Sequence, residues 1–153
     1  MPDDPKPQEC NCLAVRQAAR HVTQYYDQHL ARVGLRTSQF SILAKLRRLG
    51  PMTINALAAE MVMDRTTLGR NVQPLERDGL IVARRGATDR RVKELHLTEA
   101  GAARVRAGVK AWAAAQNGFE AAFGAARAVE FRHLMHSLVA TDLGAGAASA
   151  HAP

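Results

Sequence analysis

The sequence has few cysteines and aromatic residues, and it has no long apolar run. Only two of its 153 residues are cysteines, Cys10 and Cys12, and they lie too close together to connect distant parts of a fold. No uncharged apolar stretch approaches the roughly 18 residues of a membrane span. The N-terminal residues lack the apolar segment of a signal peptide. These absences predict a soluble, cytoplasmic protein whose fold does not depend on disulfides.

The sequence also lacks the motifs of catalysis. It contains no recognisable nucleophile with its base, no paired-carboxylate pattern, no metal-ligand spacing and no glycine-rich phosphate loop. We therefore predict that the chain is not an enzyme, and we expect no cofactor and no metal site.

What the sequence does have is an excess of cations. It carries 21 Lys and Arg against 14 Asp and Glu, a formal net charge of +7. Such a balance favours a polyanionic partner, either nucleic acid or an anionic membrane surface. A membrane-surface role needs a basic amphipathic helix. Here five cations instead cluster within residues 84–93, against the single acid Asp89: Arg84, Arg85, Arg90, Arg91 and Lys93.

Apolar spacing predicts a mainly helical (α+β) chain with one β-hairpin. Apolar residues repeat with helical spacing along most of the chain, whereas two runs with strand character flank the turn 86–89. This order is that of a winged helix-turn-helix, with a two-stranded wing and further helices at both ends. The predicted helices are 10–32, 37–49 capped by Thr37 or Ser38, a short one opened by Thr53, 65–78 capped by Asp64 and bent at Pro74, 98–123 and 126–142, and the predicted strands are 80–85 and 91–97. The predicted inner side chains are Phe40, Leu43, Leu46 and Leu49 of the second helix and Leu68, Val72 and Leu75 of the fourth.

These elements predict one domain over residues 10–142. Its winged-helix lobe would span about 37–98, between terminal helices at about 10–33 and 99–142. The segments 1–9 and 143–153 are rich in small or polar residues and are predicted to be disordered. The apolar stripe of 105–123 repeats every 3.5 residues, which favours packing between helices, within the chain or across a dimer.

The predicted fourth helix has the composition of a recognition helix. Such a helix needs an apolar inner face and a polar N-terminal half that enters the major groove, where Arg, Asn and Thr contact bases or phosphates. The wing would contact phosphates and the minor groove, with Asp89 holding Arg91, and a helix N-terminus at 37–39 would donate to phosphate. The predicted DNA-binding residues are Thr37, Ser38, Gln39, Arg65, Thr66, Thr67, Arg70, Asn71, Arg84, Asp89, Arg90 and Arg91.

Residues 53–101 closely resemble the MarR family of bacterial regulators. The matching motifs are DRTTLxR, LERDGL, Asp89-x-Arg91 in the wing and Leu97-Thr98-x-x-Gly101 after it. The flanking helices extend the resemblance to about 10–142. It implies a cytoplasmic homodimer, joined through dimerisation helices at about 10–33 and 99–142. Such a dimer would bind a palindromic double-stranded DNA operator as a repressor and release it when a small molecule or an oxidant is sensed.

Two readings of the signal compete. In the first, a phenolic or aromatic acid binds between the dimer helices and the DNA-binding lobe, although Tyr26 and Trp112 also lie on apolar stripes and could serve the core instead. The predicted effector residues are Arg16, Arg20, His21, Tyr25, Tyr26, Trp112 and Gln116.

In the second reading, Cys12 senses peroxide. The first helix is similar to that of the organic-hydroperoxide regulators, a MarR branch with a reactive N-terminal cysteine. However, Arg16 and Thr37 stand where that branch has tyrosines, so an inert Cys12 is the alternative. Outside this class, a winged helix can also serve as a protein-interaction module, but that role does not need arginines at the wing tip.

Overall fold

The computed structural model describes Asp4 and residues 6–144. In this part of the chain, the six predicted helices and two predicted strands follow one another in the predicted order, with an additional strand, β1, before the third helix. Two 3-10 turns lie at Pro7–Glu9 and Ala31–Val33. The elements are α1 Asn11–Leu30, α2 Thr37–Leu49, β1 Met52–Thr53, α3 Ile54–Met61, α4 Arg65–Arg77, β2 Ile81–Arg85, β3 Lys93–Leu97, α5 Glu99–Phe123 and α6 Ala125–Ala140.

The chain forms two compact units, residues 1–115 and 116–153, and α5 runs from the first into the second. The expected frayed segment 1–9 contains the 3-10 turn Pro7–Glu9, whose geometry the Pro at its first position favours. The predicted disorder of 145–153 lies outside the described residues. Within the described part of the chain, no helix is long and apolar enough to cross a membrane.

The sheet has three antiparallel strands in the order β1-β3-β2, so the predicted two-stranded wing gains a third strand at its base. Met52 pairs with Leu95 and Thr53 with Glu94. With two residues, β1 is too short to produce an alternating pattern in the sequence. The strand β3 begins at Lys93, later than predicted, because the turn takes up the residues before it: Val92 N donates to Asp89 O at 3.2 Å.

The core of the first unit is aliphatic and lies between α2, α3, α4 and the sheet. The inner positions predicted for α4 are confirmed, and those of α2 are confirmed except Leu49, which is 49% exposed at the end of the helix. The largest fully buried side chains are Leu30, Ile42, Leu43, Leu57, Leu68, Leu75 and Ile81. By contrast, much of the apolar stripe on α1 and α5 is exposed in this chain: Val15 is 40% exposed, Val109 44% and Trp112 40%. The alternative that Trp112 serves the core of this chain is therefore wrong.

The helix starts agree with the predicted caps at α3 and α4 but not at α2. Thr53 Oγ1 accepts from Ala56 N, and Asp64 accepts from Thr67 N, so both caps are confirmed. The cap of α2 is Arg36, whose backbone N–H donates to Gln39 Oε1 at 2.9 Å, and not Thr37 or Ser38. The helix α4 continues through Pro74 to Arg77.

The connection from the wing into α5 depends on Thr98 and Gly101. The Thr98 hydroxyl donates to Gly79 O at 2.6 Å and accepts from Gly101 N at 3.0 Å. Gly101 lies so close to the Leu80 carbonyl that a Cβ there would collide with it. The Leu-Thr-x-x-Gly motif is thus a structural junction that fixes where α5 leaves the sheet.

The second unit holds a small aromatic cluster. Phe119, Phe123 and Phe131 lie with ring centroids 5.4 to 6.4 Å apart. Beside them, Glu120 accepts from Gln116 at 2.8 Å and from Arg132 at 2.9 Å. These two donors, Gln116 first, lower the pKa of the Glu120 carboxyl.

Candidate nucleic-acid interface

The first turn of α4 is fixed by two hydrogen bonds that Thr67 donates to the Asp64 carboxylate. The Asp64 carboxylate accepts from the Thr67 hydroxyl at 2.6 Å and from the Thr67 backbone N–H at 2.8 Å. These bonds, the hydroxyl first, lower the pKa of Asp64. The Thr67 hydroxyl, predicted to contact DNA, is therefore donated to the cap.

The outer face of α4 is polar and exposed. Leu68, Val72 and Leu75 are buried on the inner face. The predicted residues Arg65, Thr66 and Arg70 are exposed, and so are Gln73 and Arg77, which the sequence reasoning missed. Their spacing from Arg70, three and seven residues, was the available signal, because it places all three on one side of a helix.

Asn71 does not extend from this face as predicted. It is half-buried, and its Nδ2 donates to Thr67 O at 2.9 Å, one turn earlier in the same helix. An amide bonded to its own helix is an alternative to a base contact, so Asn71 must rotate before it can bind adenine.

The turn of the wing has the Asp89–Arg91 contact that the sequence predicted. Asp89 Oδ1 accepts from Arg91 N at 2.9 Å and from Arg91 Nε at 3.3 Å. The Arg91 side chain nevertheless stays 92% exposed. A Cβ on Gly86 would lie 2.7 Å from Asp89 O, so this tight turn needs glycine there. Asp89 therefore orients the Arg91 side chain while leaving it exposed to solvent.

The strands of the wing place like charges opposite each other. Arg85 is the cross-strand partner of Lys93, whereas Arg84 faces Glu94. Arg84, Arg85, Arg90 and Lys93 are all exposed. Like charges directly opposite each other destabilise a sheet, so the Arg85–Lys93 pair is unfavourable for the free hairpin. A polyanion bound beside the two cations would make their proximity favourable.

The N-terminus of α2 is already occupied by protein groups. Thr37 donates to Asp27 Oδ1 of α1 twice, from its backbone N–H at 2.6 Å and from its hydroxyl at 2.7 Å. Gln39 uses its carbonyl oxygen for the Arg36 cap, and Ser38 is half-buried. In this structure, Thr37 and Gln39 join α1 to α2 and cap a helix, which differs from the phosphate-binding role we predicted.

Comparison with known proteins agrees with this geometry. The MarR family profile matches residues 35–93. The crystal structure of the M. tuberculosis transcriptional regulator MosR has a TM-score of 0.74 at 32% identity, covering 89% of this chain and all of that chain. This chain belongs to the MarR family.

Two further comparisons extend this result. MosR in complex with DNA has a TM-score of 0.73 at 36% identity, with 86% of this chain and 98% of that chain covered. YwoH of Bacillus subtilis (strain 168), an uncharacterized HTH-type transcriptional regulator, is 33% identical over 85 residues, which are 56% of this chain. The match spans 61% of the length of YwoH. These relatives are transcriptional regulators and not enzymes, and the winged-helix fold is confirmed.

In this MarR-family chain, a cavity of about 820 Å³ opens between α2, α3 and α5. Phe40, Val105, Val109 and Trp112 give it apolar and aromatic walls, and a Lys45–Glu60 ion pair of 2.8 Å crosses it. The remaining lining residues are Ser41, Ala44, Arg47, Arg48 and Leu49. Sequence reasoning missed the cations Lys45, Arg47 and Arg48, since only the packing of α2 against α5 brings them beside Trp112.

The predicted effector residues are not assembled around this cavity. Among the seven, Trp112 lines it, whereas Arg16, Arg20 and His21 are exposed on α1. Tyr25 contacts Tyr26 edge-to-face, with ring centroids 5.8 Å apart. Tyr25 also lies 4.8 Å from the His29 ring, and Gln116 bonds to Glu120 in the second unit. Within the first unit, the six predicted residues Arg16, Arg20, His21, Tyr25, Tyr26 and Trp112 do not all line this cavity, and an effector site formed with a second chain stays a prediction.

Both cysteines are free and exposed at the start of α1. Cys10 is the N-cap residue, and its Sγ accepts from Leu13 N at 3.4 Å. Cys12 lies in the first turn of the helix. The two thiols are therefore accessible to small oxidants.

Proposed function

We propose that this MarR-family chain is a sequence-specific DNA-binding transcriptional regulator that acts in the cytoplasm. The observation that carries the proposal is the pairing of two cationic elements on one lobe. The exposed outer face of α4 presents Arg65 and Arg70, and the wing holds Arg85 opposite Lys93 at a cost to its own stability. Support comes from MosR, a relative at 36% identity that has been crystallised with DNA.

We further propose that it binds a palindromic operator as a homodimer and represses transcription. The last helix supports a dimer, because its one buried side chain is Ala128 while Leu134 is 58% and Leu138 39% exposed. Exposed apolar side chains of this size commonly mark protein interfaces. A two-fold dimer would bind half-sites about one DNA turn apart. Sedimentation equilibrium tests this step, and a monomer at micromolar concentration would contradict it.

The decisive experiment is selection of binding sites from a randomised duplex pool, followed by fluorescence anisotropy across about 50 to 200 mM salt. We expect a palindromic consensus that binds about 10³-fold or more tightly than random DNA. Equal, weak and steeply salt-dependent binding to every duplex would contradict sequence specificity. No binding even at low salt would favour the protein-interaction module instead.

A matched pair of variants tests the wing. Arg91→Ala should weaken binding to all duplexes and reduce the slope of log affinity against log salt by about one. Arg106→Ala removes the same charge from α5, where Arg106 pairs with Glu99 at 3.3 Å, and should leave the slope unchanged. Equal slopes for the two variants would show that net charge alone, and not the wing, sets the affinity.

We propose that the effector is a small aromatic or phenolic acid bound in the cavity of α2, α3 and α5. Trp112 and Phe40 offer flat apolar surfaces, and Arg47 and Arg48 offer cations for a carboxylate. Trp112 is the chain's single tryptophan, so its fluorescence reports directly on the cavity.

Titration with hydroxybenzoic acids should quench Trp112 and release the selected duplex over the same concentration range. Arg48→Gln should weaken both effects, whereas Arg106→Gln should change neither. Quenching without release would identify a ligand that is not the effector, and no quenching with any aromatic acid would contradict this assignment.

Accessible thiols favour a second signal, peroxide sensing through Cys12. Oxidation of an exposed thiolate to sulfenic acid is followed by condensation with a nearby thiol, and Cys10 is available if the first turn of α1 unwinds. Organic peroxide should then release the selected duplex from the wild type and not from Cys12→Ser. Release that persists in Cys12→Ser would contradict peroxide sensing while leaving DNA binding intact.

A further inference from the structure

Gly69 stands in the interior of the recognition helix without a structural reason to be glycine. It belongs to α4, and its φ is not among the positive values that favour glycine elsewhere in the chain. Glycine in a helix interior is less stable than alanine, because its backbone loses more conformational freedom on folding. The fold therefore gains nothing from glycine through backbone geometry.

Packing does not require glycine at this position either. A Cβ built on Gly69 would meet a single neighbouring atom within 4 Å, Ile54 Cδ1 at 4.0 Å, which is an ordinary van der Waals contact. Gly101 and Gly108 of α5 differ, since a Cβ there would collide with Leu80 and Phe40. An alanine at 69 would fit the free protein, so neither backbone geometry nor packing among the described residues accounts for the glycine.

The surroundings of Gly69 indicate what kind of group outside the chain would require glycine. Residues four apart on a helix lie one above the other, so Gly69 stands between Arg65 and Gln73, with Thr66 and Arg70 on the adjoining outer face. These four flanking residues are exposed. Gly69 is thus a gap in the polar surface that, under the proposed function, enters the major groove.

We propose that Gly69 is a specificity-determining position, where the missing side chain lets a base-pair edge approach the backbone of α4 between Arg65 and Gln73. This inference rests on the proposed DNA-binding function. A methyl group at 69 would hold the helix away from that base pair and weaken the contacts on both sides of it. Random DNA, bound mainly through phosphates, would be little affected.

The test compares Gly69→Ala with the wild type on the selected duplex, on a random duplex and in thermal unfolding. We expect an unchanged or higher Tm, about tenfold weaker binding to the selected duplex, comparable to the loss of one base-pair contact, and less than about twofold change on the random duplex. Gly69→Leu should lose more. Ala103→Leu adds three carbon atoms, one fewer than Gly69→Leu, at an exposed position of α5 and should lose nothing.

Several results would overturn the inference. Unchanged affinity in Gly69→Ala, or an equal loss on both duplexes, would remove the role in specificity. A lower Tm would make the glycine a structural requirement. A wild type that does not distinguish the selected from the random duplex would refute the proposed function itself, and this inference with it.

Discussion

Replacing Gly101 with alanine should destabilise the protein, because there is no room for a Cβ between α5 and the segment that follows α4. The added Cβ would collide with the Leu80 carbonyl oxygen and lie 2.6 Å from Leu97 Cδ1 and 3.1 Å from the Leu80 carbonyl carbon. A side chain can rotate away from such a contact. The Leu80 carbonyl cannot move freely, because it accepts from Thr98 N at 3.1 Å.

The size of the effect follows from two opposing terms. Overpacking a close-packed site costs about 1–3 kcal/mol, and a contact with fixed backbone belongs in the upper part of that range. Alanine recovers about 0.5–1 kcal/mol through its better helix propensity. The net loss is then about 2 kcal/mol, which lowers Tm by about 4–8 °C in a chain of this length.

The assay is thermal unfolding followed by far-UV circular dichroism, with Gly69→Ala measured beside Gly101→Ala. Both variants make the same chemical change in a helix, but the Cβ at 69 meets nothing closer than 4.0 Å. Gly69→Ala should therefore raise Tm by about 1–4 °C, from the propensity term alone. A Tm for Gly101→Ala equal to or above that of the wild type would refute the reasoning.

Three further predictions concern the interface. Because Thr67 lowers the pKa of Asp64, the ionised cap stabilises α4 above the ordinary Asp pKa, and this stabilisation is lost as the pH falls through the lower pKa of the folded state. Lowering the pH below about 4 should therefore lower the Tm of the wild type more than that of Asp64→Asn, which keeps a capping oxygen that does not titrate. Parallel profiles of Tm against pH would contradict this. Gln73→Ala should weaken binding to the selected duplex about tenfold and leave random DNA nearly unchanged, as measured by anisotropy; an equal loss on both would make Gln73 a phosphate contact. Lys93→Thr should raise Tm slightly by removing the charge opposite Arg85, while reducing the salt slope of DNA binding by about one; a lower Tm would contradict the repulsion.

The helices could be predicted from the sequence where the signal is local, in the spacing of the buried side chains and in a capping residue beside the helix. The buried side chains of α2 and α4 repeat with helical spacing, and the capping residues Thr53 and Asp64 directly precede the helices they cap. The start of α2 at Thr37 was predicted, but its capping residue was not, because Thr37 donates to the Asp27 carboxylate, ten residues away on another helix. The strand β1 was missed because pairing with β3, and not its own pattern, makes it a strand.

The site was partly predictable for the same reason. Exposure of Arg65, Thr66 and Arg70 follows from the helical spacing of their buried neighbours. The inward bonds of Thr67 and Asn71 depend on competition between backbone and solvent partners, which residue type alone does not decide. The cavity could not be predicted, since Lys45 and Trp112 are far apart in sequence and meet only through the packing of α2 and α5.

Features that are unfavourable for the free chain separate folding from function in this protein. Gly101 weakens a helix, but its contact with Leu80 shows why the fold needs it. Three other unfavourable features have no such compensation among the described residues. They are Gly69, the like charges of Arg85 and Lys93 on paired strands, and the 40% exposure of Trp112. The first two lie on the surface assigned to DNA and the third lines the cavity assigned to an effector. Under the proposed function, binding of DNA and of an effector would offset this unfavourable free energy, so replacing any of these positions should raise stability and weaken binding.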